Sequence, residues 1–523
     1  MTQERKQNDA RERSSEKCRN ADGSGAWLGL LPRQFDPLRD RPHLVLRIRE
    51  QARYGIFPSM QAVRNRLMRV CVSEPCDRVP QTPPSNLRFR APRILFWVAF
   101  ALRIACIAIG HTYRIRVLSD HFNFGFEAGR IARSLVEGHG YANPFNGASG
   151  PTAWLPPIYP LLLALSFKLF GVYTNAAAFF VMAADSLFSA LIAPAVYEIA
   201  ARCFDANGIA RRASAKAAPV ALWAGWLWAV YPAALQYAIH WLWEMSISTC
   251  LFTWTLVIAL RLRGTGEDER DGAAQWGRWA AWGALWGLTA LSNASLLIGL
   301  PAAGLWVIWP RLRKLQLRAV TGPALAALVF AAVMSPWWMR NVRTMHAFIA
   351  TRSNFGAELY ESTLPSHDAL PYGTALPLWT GDPKFQLFLH MGELRYTEMR
   401  KEQAIARIRA NPGYFWHCTL DRFLFFWDGV PHALENHPMR EYGRQLSYAF
   451  LSLAGLMGLA LALRRRVPGA TLMGWMFLLL PLPYYLVTVQ ARFRHPLEPL
   501  IAVLSVYLFR STEPRRRDGA SPT

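Results

Sequence analysis

Two carboxylates, Asp120 and Glu127, are the residues best suited to chemistry in this sequence, and both lie in the segment DHFNFGFEAGRIARSLVEGHGY. A carboxylate within hydrogen-bonding distance of a substrate hydroxyl can accept its proton as a general base or orient it. His139, in the EGHGY part of the same segment, is a candidate for substrate binding. The segment therefore predicts a site at which a hydroxyl group is bound and activated.

Further charged residues recur in three other short segments, HWLWEM, PWWMRNVRTMHAFIATRSNFG and QARFRHPLEP. Arginine presents a fork of donors that suits a phosphate or pyrophosphate group. Tryptophan and tyrosine can stack on sugar faces, although anchoring in the lipid headgroup layer is the simpler interpretation for most of the 21 Trp residues. Together with His139, the candidate substrate-binding residues are Glu244, Arg340, Asn341, Arg492, Arg494 and His495.

The elements that hold these segments are predicted to be membrane-spanning helices. Of the 523 residues, 52% are hydrophobic, and runs of about 20 apolar residues, the length that crosses a bilayer, recur along the chain. Because backbone amides in lipid must be paired within their own segment, an all-α fold is expected. We predict a polytopic membrane protein with about ten transmembrane helices, at 94–112, 173–200, 218–240, 245–262, 277–292, 294–309, 320–339, 446–463, 469–488 and 495–510.

The distribution of Lys and Arg sets the predicted orientation of these helices. A cytoplasmic N-terminus places every strongly basic short loop in the cytoplasm, and it places all the candidate site residues on the outer face. This requires that PIYPLLLALSFKLF, at 157–170, does not cross the bilayer. The segment is too short for an unstrained span, so we predict a juxtamembrane helix. A short tilted span is the alternative, and it would move several basic loops to the outside.

This topology divides the chain into five parts. They are a basic, mostly disordered cytoplasmic leader (1–93), an N-terminal transmembrane core that includes the outer loop 113–172 (94–339), a large outer loop (340–445), C-terminal transmembrane helices (446–510) and a cytoplasmic tail (511–523). The leader is interpreted as holding the N-terminus inside rather than as binding nucleic acid.

The large loop is too long for a simple connector and is predicted to form a small subdomain. One helix is expected at 391–410, where acids come early and bases late, and a second is expected to start near Pro412 and to lie in the membrane interface. The subdomain is either a substrate-binding lid or a passive cap. The seven cysteines are scattered, so neither a zinc site nor a disulfide framework is predicted.

Three motifs give the sequence a resemblance to a known superfamily. IARSLVEGHGY is followed by PPIYPLLLALSFKLFG, SPWWMRN opens the large loop, and ARFRHPLEP precedes the last predicted span. In this order and spacing, over roughly 94–510, the motifs resemble the polytopic GT-C glycosyltransferases that use polyprenyl-phosphate sugars. The nearest likeness is to RgtA/B/C/D-like bacterial relatives of protein O-mannosyltransferases and aminoarabinose lipid A transferases.

The resemblance implies a sugar donor carried on polyprenyl phosphate, an acidic residue in the first outer loop and, in some members, a divalent metal. The acidic pair that is usual in the family is replaced here by Phe124 and Gly125. The catalytic role then falls to Glu127, one helical turn closer to IARSL, or to Asp120, further out. We favour Glu127. An acid that merely stabilises a helix N-terminus is the simpler alternative. Glu244 is a candidate to hold the acceptor or a metal.

The predicted function is transfer of a sugar, hexose or pentose, from polyprenyl phosphate to a lipid, glycan or protein acceptor on the outer face of a bacterial inner membrane, with inversion. A transporter or lipid flippase is the main alternative, for which Arg103, Asp185 and Glu198 would be the residues of interest. Transporters place ionisable groups near the bilayer midplane in paired halves, and no such repeat is evident. A non-catalytic membrane scaffold is the third possibility.

Overall fold

The computed structural model describes residues 85–117, 120–205, 219–266, 272–313, 320–365, 376–431 and 438–512. Within these ranges the chain is α-helical, and the only β-type pairings are two isolated bridges. The predicted all-α fold is therefore confirmed. Most of the leader and nearly all of the tail lie outside the described residues, and the division into five parts stays a prediction.

The described helices are numbered here in chain order. They are α1 (Ser85–Gly110), α2 (Phe126–Val136), α3 (Ile158–Phe170), α4 (Asn175–Ala200), α5 (Val220–Ala229), α6 (Pro232–Ile239), α7 (Met245–Arg263), α8 (Gly272–Ser292), α9 (Leu300–Leu312), α10 (Thr321–Met345), α11 (Phe355–Glu361), α12 (Pro383–Met391), α13 (Glu393–Ala410), α14 (Pro412–Asp428), α15 (Pro438–Arg464), α16 (Ala470–Leu479), α17 (Leu482–Leu486) and α18 (Glu498–Thr512).

Helical structure is present at each of the ten predicted spans. Among the described residues, six stretches are long and apolar enough to cross a membrane, so the multi-spanning architecture is confirmed while the count of ten stays a prediction. They are Ala91–Gly110, Asn175–Asp205, Met245–Arg263, Ala294–Leu312, Thr321–Met345 and Glu441–Arg464.

Of the other four predicted spans, 277–292 lies in the unbroken 21-residue helix α8, and 218–240, 469–488 and 495–510 form shorter or broken helices. The segment 218–240 forms α5 and α6, which are separated at Val230 and Tyr231 because Pro232 starts the second helix. The segment 157–170 forms the 13-residue helix α3, and its juxtamembrane position stays a prediction.

The break between α5 and α6 is joined to its neighbours by the fully buried Arg103 of α1. The guanidinium donates to the carbonyl oxygen of Ala229 (3.1 Å), to the carbonyl oxygen of Ala99 (2.9 Å) and to Ser189 Oγ (3.0 Å) on α4. A buried arginine is tolerated when its donors are satisfied in this way. Arg103 therefore has a structural function in holding α1, α4 and the interrupted helix together.

Two loops carry most of the remaining helices, and we call residues 113–172 the first loop and residues 340–445 the second loop. The first loop contains α2 and α3, and the second contains α11 to α14. The predicted helices at 391–410 and from Pro412 are confirmed as α13 and α14. Phe145 and Trp154 of the first loop pack with Phe388 and Tyr396 of the second, so one apolar cluster joins the two loops.

Helix α8 packs closely against α10, and we expect Gly283→Ala to destabilise the protein. A Cβ atom at this position would lie 2.2 Å from the carbonyl oxygen of Ala326, so the two helices must separate. Overpacking of this kind costs about 1–3 kcal/mol. The melting temperature of the purified protein in detergent measures the effect.

Gly277→Ala, on the same helix, is the matched control. Its added Cβ meets no atom within 4 Å, so it should leave stability unchanged or raise it. Equal melting temperatures for the two variants would contradict the close packing of α8 and α10.

Candidate functional site

A tight turn brings Glu127 to the start of α2. Gly125 (φ 84°) and Phe126 (φ 55°) both adopt left-handed backbone conformations, and Glu127 follows in the first helical turn. The turn folds back on the helix so closely that a Cβ atom at Gly129 would lie 1.9 Å from the carbonyl oxygen of Phe124. Glycine is therefore needed at 129, and the turn fixes the direction in which α2 starts.

Trp243 is the point at which three separate segments meet. The ring of Phe126 stacks on it with centroids 4.5 Å apart, and Trp241 stacks on it at 5.0 Å. The Arg492 guanidinium carbon lies 3.5 Å from the centre of the Trp243 ring, a close cation–π contact. Since Glu127 follows Phe126 and Glu244 follows Trp243, these stacked residues bring both carboxylates to Arg492.

The second loop adds two charged residues to this group, Arg352 and Glu358. Glu358, on α11, is held by Asn354, whose Nδ2 donates to Glu358 Oε1 at 3.2 Å. The positive charges of Arg352 and Arg492 both act on Glu358, and Arg352 also acts on Glu244. We call Glu127, Glu244, Glu358, Arg352 and Arg492 the charged cluster.

Burial and neighbouring charges shift the pKa values of the three carboxylates and of Arg492 in the charged cluster. Burial raises the pKa of Glu127, the charge of Glu358 raises it further, and Arg492 opposes the rise. Burial likewise raises the pKa of Glu244 and of Glu358. Burial lowers the pKa of Arg492, against the opposing effect of the three carboxylates. All five side chains keep part of their surface exposed, so they remain accessible to a ligand.

Asp120 lies in a different environment from Glu127. Its Oδ1 accepts from Arg133 Nη1 at 3.1 Å, its Oδ2 accepts from Asn146 Nδ2 at 3.2 Å, and Arg130 Nε lies 3.9 Å away. Burial works to raise the pKa of Asp120, but the hydrogen bond and charge of Arg133 with the charge of Arg130 outweigh it and hold the pKa below 3.8. Asp120 thus anchors α2 through ion pairs.

Arg340 and Asn341, at the end of α10, bind to backbone. Arg340 donates to the carbonyl oxygens of Thr152 and Tyr141, each at 2.6 Å, and the buried Asn341 donates to the carbonyl oxygen of Ile349 at 3.2 Å. These bonds tie α10 to both loops.

Arg494 and His495 form a buried group with Glu498. Arg494 Nη2 lies 3.4 Å from Glu498 Oε1, and His495 Nδ1 lies 2.6 Å from Glu498 Oε2, with all three side chains at most 1% exposed. Arg494 also donates to the carbonyl oxygen of Tyr448 at 3.1 Å. Of the arginines in ARFRHPLEP, the structure therefore brings only Arg492 into the charged cluster.

His139 is exposed, and its Nδ1 lies 3.6 Å from Glu137 Oε2. The structure thus joins Glu127, Glu244 and Arg492 of the predicted residues, and it places Asp120, His139, Arg340, Asn341, Arg494 and His495 in other contacts. The catalytic role of Asp120 and the substrate-binding roles of the others in this second set stay predictions.

Glu358 is the residue that sequence reasoning missed. It lies in NFGAELYE, a short turn of helix without a motif, and its importance arises only from the position of α11. Arg352 carried a clearer signal, since it follows SPWWMRN within the charged segment that opens the second loop.

The sequence left open whether a divalent metal is bound. Among the residues that the structure describes, no group of three or more His, Cys, Asp and Glu side chains is placed to hold a metal ion. The arrangement instead offers three carboxylates that accept hydrogen bonds and two guanidinium groups that can bind an anion.

The structure has distant similarities among solved proteins. It is similar to the oligosaccharyltransferase of Archaeoglobus fulgidus in the apo form at 13% identity, with a TM-score of 0.45. The similarity to the archaeal oligosaccharyltransferase AglB of the same organism, in complex with an inhibitory peptide and a dolichol-phosphate, is 14% identity with a TM-score of 0.44. Both matches cover 81% of this chain and 50% of the other, so the chain spans half the length of those proteins.

ArnT from Cupriavidus metallidurans bound to undecaprenyl phosphate is similar at 15% identity, with a TM-score of 0.33 and coverage of 81% of this chain and 77% of that one. No family model and no curated protein sequence matches the chain. Because the identities and TM-scores are low, the fold described above rests on the chain's own helices.

The two candidate bases should differ in their effect on stability. We expect Asp120→Asn to lower the melting temperature at neutral pH. The pKa of Asp120 is lowered in the folded protein, so its ionised form stabilises the fold above pH 3.8, and this effect is lost as the pH falls. We expect Glu127→Gln to raise the melting temperature. The pKa of Glu127 is raised in the folded protein, so its ionised form destabilises the fold above pH 4.5. Thermal unfolding in detergent measures both, and the reverse order would contradict this assignment.

Proposed function

We propose that this protein is a membrane-embedded glycosyltransferase of the GT-C type, which transfers a sugar from a polyprenyl-phosphate donor to an acceptor hydroxyl on the outer face of a bacterial inner membrane. One observation carries the proposal: Phe126 and Arg492 both stack on Trp243, which brings Glu127 and Arg492 together. A partly exposed carboxylate beside guanidinium groups suits the two ends of the transferred sugar, the acceptor hydroxyl and the departing phosphate.

Glu127 is the general base in this proposal. As the acceptor oxygen attacks the anomeric carbon, its proton passes to the Glu127 carboxylate. The bond between the anomeric carbon and the phosphate oxygen breaks on the opposite side of the sugar, and the electron pair leaves with the polyprenyl phosphate. A single displacement of this kind inverts the anomeric configuration. The raised pKa of Glu127 makes its conjugate base a better proton acceptor than an ordinary glutamate.

Arg492 and Arg352 hold the phosphate in this proposal. Charge that develops on the leaving oxygen is stabilised by guanidinium groups that are already in place. Stacking on Trp243 limits the motion of Arg492, which makes the group preorganised. Glu244 and Glu358 then accept hydrogen bonds from sugar or acceptor hydroxyls. The identity of the sugar, hexose or pentose, and of the lipid, glycan or protein acceptor is left open by these groups.

The alternative of a transporter or flippase is weakened by the contacts of two of its candidate residues. Arg103 donates to the carbonyl oxygens of Ala99 and Ala229 and to Ser189 Oγ. Glu198 accepts from Arg202 Nε at 2.8 Å and from Arg261 Nε at 2.6 Å. These contacts give Arg103 and Glu198 structural roles. Asp185 Oδ2 accepts from Tyr159 Oη at 3.0 Å, while Asp185 Oδ1 is buried without a hydrogen-bond partner among the described residues.

Glu127→Gln should reduce sugar transfer strongly while Asp120→Asn should retain most of it at a temperature at which both variants are folded. Loss of a general base costs about 10²–10⁴-fold in rate, whereas the Asp120 ion pairs act only on the placement of α2. The assay measures transfer of labelled sugar from a polyprenyl-phosphate donor by the protein in lipid nanodiscs. Full activity in Glu127→Gln with loss in Asp120→Asn would reassign the base to Asp120.

The pH dependence of sugar transfer should show whether Glu127 is the base, because the charges of its neighbours shift its pKa. The acid limb of kcat/KM is expected above pH 4.5, because activity falls when the raised pKa of Glu127 is passed and the base becomes protonated. Glu358→Gln should move the limb to lower pH, since the Glu358 charge raises the pKa of Glu127. Arg492→Gln should move it to higher pH, since the Arg492 charge lowers that pKa.

The exposed Arg343 supplies the control for these shifts, and Arg343→Gln should leave the limb in place. A limb that moves in the same direction in Glu358→Gln and Arg492→Gln would show that another group titrates.

A further inference from the structure

We propose that Glu393 is a positioning residue whose carboxylate, by binding both loops at once, sets Arg352 and Glu358 in the charged cluster. The inference rests on the function proposed above and adds to it that the second loop is a working part of the site rather than a passive cap.

Glu393, the first residue of α13, binds three donors that come from two distant segments. Its Oε1 accepts from the backbone N–H of Ala153 at 2.8 Å and from Ser353 Oγ at 2.6 Å, and its Oε2 accepts from Thr152 Oγ1. Thr152 Oγ1 itself accepts from the backbone N–H of Trp154 at 3.0 Å, so its proton is directed to Glu393. Only a group that accepts at both oxygens satisfies this set.

The same peptide of the first loop is held from its other side. Arg340 of α10 donates to the carbonyl oxygen of Thr152, and the backbone N–H of Ser353 donates to the carbonyl oxygen of Ala153 at 2.9 Å. Glu393 and Arg340 therefore form a clasp around Thr152 and Ala153, with Ser353 bound into it through both its backbone and its hydroxyl.

The clasp is directly connected to the charged cluster through the chain. Arg352 precedes Ser353, so fixing Ser353 fixes the backbone from which the Arg352 side chain extends. Glu358 follows on α11, which packs backbone to backbone on α13: a Cβ atom at Gly356 would lie 1.9 Å from the carbonyl oxygen of Thr397. Helix α13 thus holds the segment 352–358 at two points, the Glu393 carboxylate and the Gly356 contact.

Burial makes this arrangement specific rather than merely stabilising. Glu393 is 6% exposed, and burial raises its pKa while the three hydrogen bonds and Arg340 counteract part of that rise. An apolar residue at this place would leave the donors of Thr152, Ala153 and Ser353 unsatisfied. The neighbouring apolar cluster of Phe145, Trp154, Phe388 and Tyr396 holds the two loops together. The clasp determines the position of one loop relative to the other.

The experiment is a double-mutant cycle on sugar transfer between Glu393→Gln and Arg352→Lys. Gln keeps the size of Glu393 but replaces one carboxylate oxygen, an acceptor, by an amide nitrogen, a donor. That donor would face the Thr152 hydroxyl, which is also a donor here. We expect Glu393→Gln to lower kcat/KM by roughly tenfold or more, and we expect most of this loss to disappear in the Arg352→Lys background because both changes act on one group. Because displacement of Glu358 weakens the effect of its charge on Glu127, the acid limb of the pH profile should move to lower pH, as in Glu358→Gln.

Glu398→Gln, at an exposed position of α13, is the matched control and should leave transfer unchanged. Equal losses from Glu393→Gln in the two Arg352 backgrounds would overturn the proposal, as would wild-type activity of Glu393→Gln. If Glu393→Gln does not fold, Ser353→Ala removes one bond of the clasp and takes its place in the cycle.

Hydrogen exchange supplies a readout that needs no activity. In Glu393→Gln, and not in Glu398→Gln, the amides of 351–358 should exchange faster while those of α7 keep their protection. If the wild type transfers no sugar but the exchange changes as expected, the proposed function fails and the clasp stands. Unchanged exchange in 351–358 would overturn the clasp, whatever the activity.

Discussion

The contact of the Arg492 guanidinium with the ring of Trp243 is the interaction on which the charged cluster depends. A guanidinium at the end of an apolar bundle loses hydration, and burial lowers its pKa. The aromatic face and the three carboxylates provide the compensation. Burial raises the pKa values of the three carboxylates, and the charges of the arginines are among the effects that oppose this rise. Each sign of charge is held in place by the other.

This mutual dependence explains why the site is assembled from four segments rather than one. Phe126 reaches Trp243 from the first loop, Arg492 reaches it from the segment before α18, and Arg352 and Glu358 arrive from the second loop. None of these segments could hold its charges alone without leaving them buried and uncompensated. The buried polar contacts elsewhere, such as the Arg494–Glu498 pair and the Arg103 bonds at the α5–α6 break, keep the supporting helices in register.

The glutamate and the aspartate of the first loop show how far sequence reasoning reached. The types and positions of Glu127 and Asp120 marked both as candidates, and the position of Glu127 at a helix start was correctly predicted. Their environments could not be predicted, because Asp120 receives Arg133 and Asn146 while Glu127 faces residues that lie far along the chain. The same is true of the arginines, since nothing in ARFRHPLEP distinguishes the stacked Arg492 from the buried Arg494.

The amino-acid sequence by itself determined the all-α membrane architecture, the short apolar helix at 158–170 and the helices of the second loop. These features depend on the length of apolar runs, on proline and on capping residues, which act within a few residues of the chain. The tertiary structure alone decided which charged residues form the charged cluster, because that depends on contacts between segments hundreds of residues apart. A pKa shift and a stacked guanidinium are properties of such contacts, and no local pattern records them.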